Sequence, residues 1–318
     1  MKIGLTLSSG SAKGWVHAGI IKELEANKIY PEIIAGCSAG ALVGAAYADN
    51  SLEDLIEWGK RMKQNRRMSY FDINIYKGGF FNSDKLFLDI KKMFKSNQIE
   101  NLKKKLGIVG TDLHTGEEIW FQSGDLFNAM KGSCSIPGII APSKNQNRWI
   151  IDGAVVNPIP INLCRNMGAE FIIASDVFSK SYDKTTPVIE RSKSNSYDLK
   201  ETAEKIRING EQALIKDITN IIYSKSKEKF SEIKRYIEKR NELDCGAIKI
   251  MTSAIEILES RYKNEIKLKQ KPNFHIAPNV SNVKIFDFHK IDELIAIGRD
   301  TVKSNINELK QEITNYNK

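Results

Sequence analysis

Cysteine is scarce in this chain and badly placed for cross-linking or metal binding. Cys37, Cys134, Cys164 and Cys245 stand far apart, with no CxxC pair and no Cys/His cluster at ligand spacing. That excludes a disulfide framework or structural zinc as the organising principle, and it suits reduced thiols in a reducing compartment. Long apolar runs are missing too. The longest uncharged stretch, Ile33 to Ala48, falls short of the roughly 20 residues that span a bilayer. The N-terminal MKIGLTLSSG holds too short an apolar run for a signal peptide. These absences predict a cytoplasmic protein. Aromatic residues make up 8% of the chain, and its tryptophans show no stacking pattern among the basic runs, so nucleic acid is not an expected partner. Histidine is as rare as cysteine, with 4 in the chain, which leaves few candidates for a histidine base.

What the chain does have is positive charge. The formal net charge is +9 over 318 residues, which favours anionic surfaces or substrates without choosing among them. The length suits one large domain, or one carrying an inserted piece. Apolar runs at Lys2–Leu7, Ile33–Ala35, Leu106–Val109, Glu118–Phe121, Trp149–Ile151, Phe171–Ala174 and Asn273–Ile276 read as strands. Helical patterns alternate with them, including Val16, Ile20 and Leu24, and a long C-terminal run through Ile291, Leu294, Val302 and Leu309. The alternation predicts an α/β protein with a mostly parallel sheet and helices on both faces. From about Ser179 to Leu243 the composition shifts to Lys, Glu, Ser and Asn with almost no strand signal. Residues 191–240 hold 13 Lys/Arg against 8 Asp/Glu. This stretch reads as a helical, basic insertion, either a solvated hairpin or a membrane-facing cap.

Three short stretches carry chemistry. GCSAG, Gly36 to Gly40, follows the strand EIIA and precedes the helix ALVGAAYA. G-x-S-x-G in that context is a nucleophile elbow pattern, and a chance glycine turn fits the five letters equally well. In an elbow Ser38 sits in a strained conformation, and Gly36 and Gly40 lack the side chains that would keep strand and helix apart. Cys37, one residue earlier, reads as a small buried apolar side chain. SSGSAKG, Ser8 to Gly14, is a small-residue loop between the first strand and first helix. Its Gly10 and Ser11 amides, with Ala12 as a third, could hold an oxyanion. A nucleotide loop is disfavoured: Ser9 and Ser11 stand where G-x-G-x-x-G needs glycines, and no GK[ST] follows. IIDGAVVNPIP, finally, ends a strand in Asp152-Gly153. That would put a carboxylate at the carboxyl edge of the sheet, with Gly153 allowing the tight turn, although Asp-Gly is also a plain turn signal.

Taken in order, SSGSAKGW, GCSAG and DGA resemble the patatin-like phospholipase family, in particular its bacterial single-domain members. TDLHTGE, SCSIPGIIAP and NVKIFDFHKIDELIAIGRD extend the resemblance over most of the chain. The resemblance implies a three-layer α/β/α patatin-like fold and a Ser-Asp dyad. Ser38 would be the nucleophile, Asp152 its base, and the Gly10 loop the oxyanion hole. It further implies hydrolysis of acyl esters of phospholipids, lysophospholipids and other lipids with no metal or cofactor. Lys13 matches a basic residue of the family's loop, to be read as electrostatic support near the oxyanion or a lipid phosphate, or as a solvated or a helix-anchoring lysine; Gly14 closes that loop. This chain departs from the family in having Ser8, Ser9 and Ser11 where glycine is usual.

The expectation is therefore one patatin-like domain, 1–318, with the insertion at 179–243. It would act as a serine lipid acyl hydrolase on lipid or lysolipid, attaching transiently to anionic membrane surfaces. Other readings stay open: a catalytically weak or inactive lipid-sensing module, or a thioesterase or acyltransferase using the same dyad. A Ser-His-Asp triad is the rival mechanism, with His17, His114, His275 and His289 as the only histidines.

Overall fold

The computed structural model describes residues 1–65, 72–73, 79–177, 255, 257–259, 262, 265–266, 269–284 and 286–318. The 179–243 insertion expected from the sequence lies outside the described residues.

The chain begins with β1 (Ile3–Leu7), a short 3-10 turn (Ser11–Gly14) and α1 (Trp15–Ala26). Then come β2 (Ile33–Cys37), α2 (Ala39–Asp49) and α3 (Leu52–Asn65), followed by β3 (Asp72–Ile73), β4 (Gly79–Asn82) and α4 (Asp84–Lys91). Next are β5 (Lys105–Asp112), β6 (Glu118–Phe121), α5 (Leu126–Ser133), β7 (Gly138–Ile140), β8 (Ser143–Asn145) and β9 (Arg148–Asp152). The last elements are α6 (Ile161–Asn166), β10 (Phe171–Ser175), β11 (Phe274–Ile276) and α7 (Ile291–Tyr316).

Strands β11, β10, β1, β2 and β5 lie side by side and parallel. Parallel strands need crossovers, and the intervening helices cover both faces, which is why these strands read as unbroken apolar runs. Alternate side chains serve opposite layers. Leu5, Leu7, Ile34 and Ile173 pack with α1, α2, α5 and α7, whereas Ile33, Ala35, Ile172 and Ala174 pack with Leu163 and Cys164 of α6. The result is a three-layer α/β/α arrangement. A second small sheet, β3-β4-β7, flanks it. Its strands are two to four residues long, too short to leave a periodic signal.

One feature of the register positions the site. Val109 of β5 pairs with Cys37 of β2 and with Trp120 of β6. The next residue, Gly110, pairs with Asp152 of β9 and with Ile119 of β6. A strand has two edges, so β6 occupies one edge of β5 while β2 and β9 share the other. β2 runs parallel to β5 and β9 antiparallel, so these two strands approach each other head-on, and their C-terminal tips abut beside Val109 and Gly110. Asp152 does lie at the carboxyl edge of the parallel strands, as its sequence position suggested, but its own strand runs antiparallel to β5 and reaches that edge only because β5 extends three residues beyond the end of β2.

Candidate active site

Ser38 stands at the junction of β2 and α2 with φ 53 and ψ −120. A non-glycine residue in this region is strained, and such strain persists only where the surroundings enforce it. The enforcement here is close packing. A Cβ on Gly36 would lie 2.6 Å from the Gly40 carbonyl oxygen, and one on Gly40 would lie 2.3 Å from that of Leu7. Backbone atoms cannot yield to such contacts, so both glycines are required for α2 to start so near β1 and β2.

The Ser38 hydroxyl donates to Oδ2 of Asp152 at 2.7 Å. The other carboxylate oxygen, Oδ1, accepts from the Ala154 N–H at 2.9 Å, capping the turn Gly153–Val155. Asp152 is buried, and loss of hydration pushes its carboxyl up to about 7 despite these two hydrogen bonds, which favour the charged form. Gly153 does not adopt a positive φ. It is needed for space, because a Cβ there would stand 2.3 Å from the Val109 carbonyl oxygen. The turn freedom expected of Gly153 is thus replaced by a close approach of β9 to β5.

Beside the elbow, the loop Ser8–Gly14 is held from behind. The N–H groups of Ser8 and Ser9 donate to the carbonyls of Ser175 and Pro158. The Ser8 hydroxyl donates to the Ser9 carbonyl and accepts from Val177 N–H. The Lys13 N–H closes a turn onto the Gly10 carbonyl at 3.0 Å. Among the described residues, nothing accepts from the amides of Gly10, Ser11 or Ala12. Ser11 has φ 49, a conformation that glycine adopts without cost and serine does not. Ser8 and Ser9 are fully buried, so two of the three serines that replace glycines turn their side chains into the protein. Gly14 makes room for the elbow helix, since its Cβ would meet the Ala39 methyl at 2.5 Å. Lys13 is buried, with 4% of its surface exposed, which overturns its reading as a solvated lysine.

The histidines are engaged elsewhere or exposed. His17 Nε2 donates to the Ser8 carbonyl at 2.9 Å, so its Nδ1 accepts from the Ser175 hydroxyl at 2.7 Å. Burial lowers its pKa to about 4, keeping the ring neutral. His275 pairs with the buried Asp176 at 3.3 Å, while His114 and His289 are exposed.

The sequence reading assigned no role to the stretch Ser133–Ser135. The Ser133 hydroxyl accepts the Ser38 N–H at 2.8 Å, and the Ser135 carbonyl accepts the Asp152 N–H at 2.9 Å. Between them stands Cys134, where loss of hydration pushes the thiol well up, as it does the Cys37 thiol near Asp152. Both thiols are therefore held protonated, and a thiol is a poor nucleophile. SCSIPG was visible in the sequence, but nothing in its letters says that it reaches across to GCSAG. Ala39, the residue after the elbow serine, is another donor missed. Its N–H is at the start of α2, where no intrahelical acceptor exists.

The model of the patatin-like phospholipase family matches residues 5–165, just over half of the chain. The chain belongs to the patatin-like phospholipase family. Among patatin-like relatives, an uncharacterized NTE family protein of Mycobacterium tuberculosis is 32% identical over 173 residues, covering 54% of this chain and 48% of the relative. The human patatin-like phospholipase domain-containing protein 6 is 28% identical over 189 residues, 56% of this chain and 13% of the human protein. Lysophospholipase nte1 of Aspergillus fumigatus is 29% identical over 198 residues, 59% of this chain and 12% of the fungal one. The matched patatin-like segment thus spans about half the length of the mycobacterial relative and a small part of the other two.

Proposed function

We propose that this protein is a serine lipid acyl hydrolase of the phospholipase A or lysophospholipase type. The observation that carries the reading is the 2.7 Å hydrogen bond from the strained Ser38 to a buried Asp152. The family, and the lysophospholipase name of the fungal relative, supply the substrate class.

In this reading the Ser38 oxygen attacks the ester carbonyl carbon as its proton passes to the Asp152 carboxylate. The amides of Gly10, Ser11 and Ala12 receive the oxyanion, since they stand beside the elbow with no other acceptor among the described residues. Asp152 then gives the proton to the departing alcohol, leaving an acyl-Ser38 ester. Water attacks that ester, its proton taken by Asp152 and passed to the Ser38 oxygen as the acyl–Ser38 bond breaks, so that free fatty acid departs and the Ser38 hydroxyl is restored. A carboxyl near 7 suits both directions of transfer at neutral pH. The rival triad is disfavoured because both nitrogens of the buried His17 are already bonded. Lys13, buried in the same loop, would add positive potential to the site.

The net charge of +9 supports transient attachment to anionic membranes from the cytoplasm. Among the described residues no helix is long and apolar enough to cross a membrane.

The test is hydrolysis of a lysophospholipid panel by Ser38→Ala and wild type, with fluorophosphonate labelling. Labelling at Ser38 with activity lost in the variant supports the reading. Wild-type hydrolysis by Ser38→Ala would overturn it. Folded protein that resists labelling would favour the lipid-sensing module, and an acyl acceptor outcompeting water would favour the acyltransferase.

A further inference from the structure

The tips of β2 and β9 meet end to end, and this creates a mechanical problem. Each strand is hydrogen-bonded to β5, but head-on neighbours on one edge share no ladder bonds with each other. A hydroxyl and a carboxylate 114 residues apart in sequence must nevertheless be held at 2.7 Å. A displacement of about 1 Å between reacting groups costs on the order of a hundredfold in rate, so something beyond the sheet has to set this spacing.

The C-terminal end of α5 touches both tips. Ser133, fully buried, takes the Ser38 N–H on its hydroxyl at 2.8 Å. Two residues on, the Ser135 carbonyl takes the Asp152 N–H at 2.9 Å. The segment is itself anchored. The Ser135 hydroxyl donates to the Lys131 carbonyl at 2.8 Å. Gly132 brings α5 so close to β9 that a Cβ there would stand 2.8 Å from the Ile150 side chain. Of the two clamps, that on Asp152 is backbone, whereas that on Ser38 depends on one side chain.

We propose that Ser133 is a positioning residue for the Ser38–Asp152 pair, its hydroxyl fixing the strained elbow at the spacing set by α5. The proposal rests on the reading of Ser38 as nucleophile. With the Ser38 N–H anchored, the backbone strain at φ 53 is held and the side chain stays aimed at Asp152. Ser133→Ala removes the acceptor while leaving the fold's packing nearly unchanged. The elbow then relaxes, and the loss falls on the chemical step more than on lipid binding.

The experiment compares wild type, Ser133→Ala, Ser133→Thr and Ser38→Ala on p-nitrophenyl butyrate, with thermal unfolding followed in parallel. Ser133→Ala is expected to lower kcat about 10–100-fold with KM within twofold, and to slow fluorophosphonate labelling of Ser38 by a similar factor. Ser133→Thr, which keeps the hydroxyl, should recover most of kcat. The proposal is overturned if Ser133→Ala keeps kcat within twofold of wild type. It is equally overturned if the threonine variant, folded as wild type, is as slow as the alanine variant. Ser38→Ala separates the two levels: if it hydrolyses the ester at the wild-type rate, the nucleophile reading fails, whatever Ser133 does.

Discussion

Asp152 carries opposite demands. Burial raises its carboxyl to about 7, so the folded protein holds a proton there that the unfolded chain, at an ordinary carboxyl pKa near 4, would release. The stabilisation from this group is therefore full below about pH 4, and it is lost as pH rises through the folded value near 7. In the proposed mechanism activity runs the other way, since Asp152 must be ionised to act as the base. Ester hydrolysis should rise with pH through a midpoint near 7 and then level off, which a pH–kcat/KM profile will show. Asp152→Asn should abolish hydrolysis and yet raise stability at pH 8 by about 1–4 kcal/mol, measured by urea unfolding, with the gain vanishing towards pH 4. His17 gives the complementary prediction. Replacing it with leucine leaves the Ser8 carbonyl and Ser175 hydroxyl without their partner, costing about 1–3 kcal/mol of stability. Residual activity should persist with its acid limb unmoved, because the proposed proton acceptor is Asp152 and not His17.

At the scale of elements, α1 and α7 cross at two glycines. A Cβ on Gly19 would lie 2.0 Å from the Ile295 carbonyl oxygen, and one on Gly298 would lie 2.2 Å from that of Val16. The obstacles are backbone atoms, so relief requires the helices to separate. Gly298→Ala should destabilise the protein by at least about 1–3 kcal/mol in denaturant unfolding. Because α1 carries His17 beneath the Ser8 carbonyl, its catalytic rate should also fall. An alanine at Gly168, whose Cβ would meet nothing within 4 Å but whose φ is +97, is the contrasting case. Its cost would be backbone strain alone, and activity should survive. These two glycines look alike in the sequence. Helix existence and the apolar faces of α1 and α7 were legible from periodicity, but the crossing point was not. A glycine becomes indispensable only when another backbone arrives.

For the whole molecule, the proposed encounter with an anionic lipid surface is one that charge would govern. With a net charge of +9, binding to vesicles of phosphatidylserine and phosphatidylcholine should weaken steeply between low salt and 0.5 M NaCl. At that salt the screening length drops well below 10 Å. Hydrolysis of a water-soluble ester, which needs no surface, should change little over the same range. Cosedimentation and a short-chain ester assay measure the two. Equal loss in both would place the charge effect in the active site rather than at an interface.

The sequence by itself carried the layered α/β class, since uninterrupted apolar strands alternating with helical patterns have few other solutions. It also carried the sharp turns at Ser38 and after Asp152, because Gly36, Ser38, Gly40 and the Asp152-Gly153 pair are local patterns. The direction of β9 was not legible: a five-residue strand looks the same whether it runs with or against its neighbour, and pairing depends on partners far away in the chain. Nor was the role of Ser133, a small polar residue at the end of a helix like many others. Local letters encode backbone preference and burial. The 2.7 Å between Ser38 and Asp152 is set by three segments meeting at one point, and only the tertiary structure brings β2, β9 and the end of α5 together.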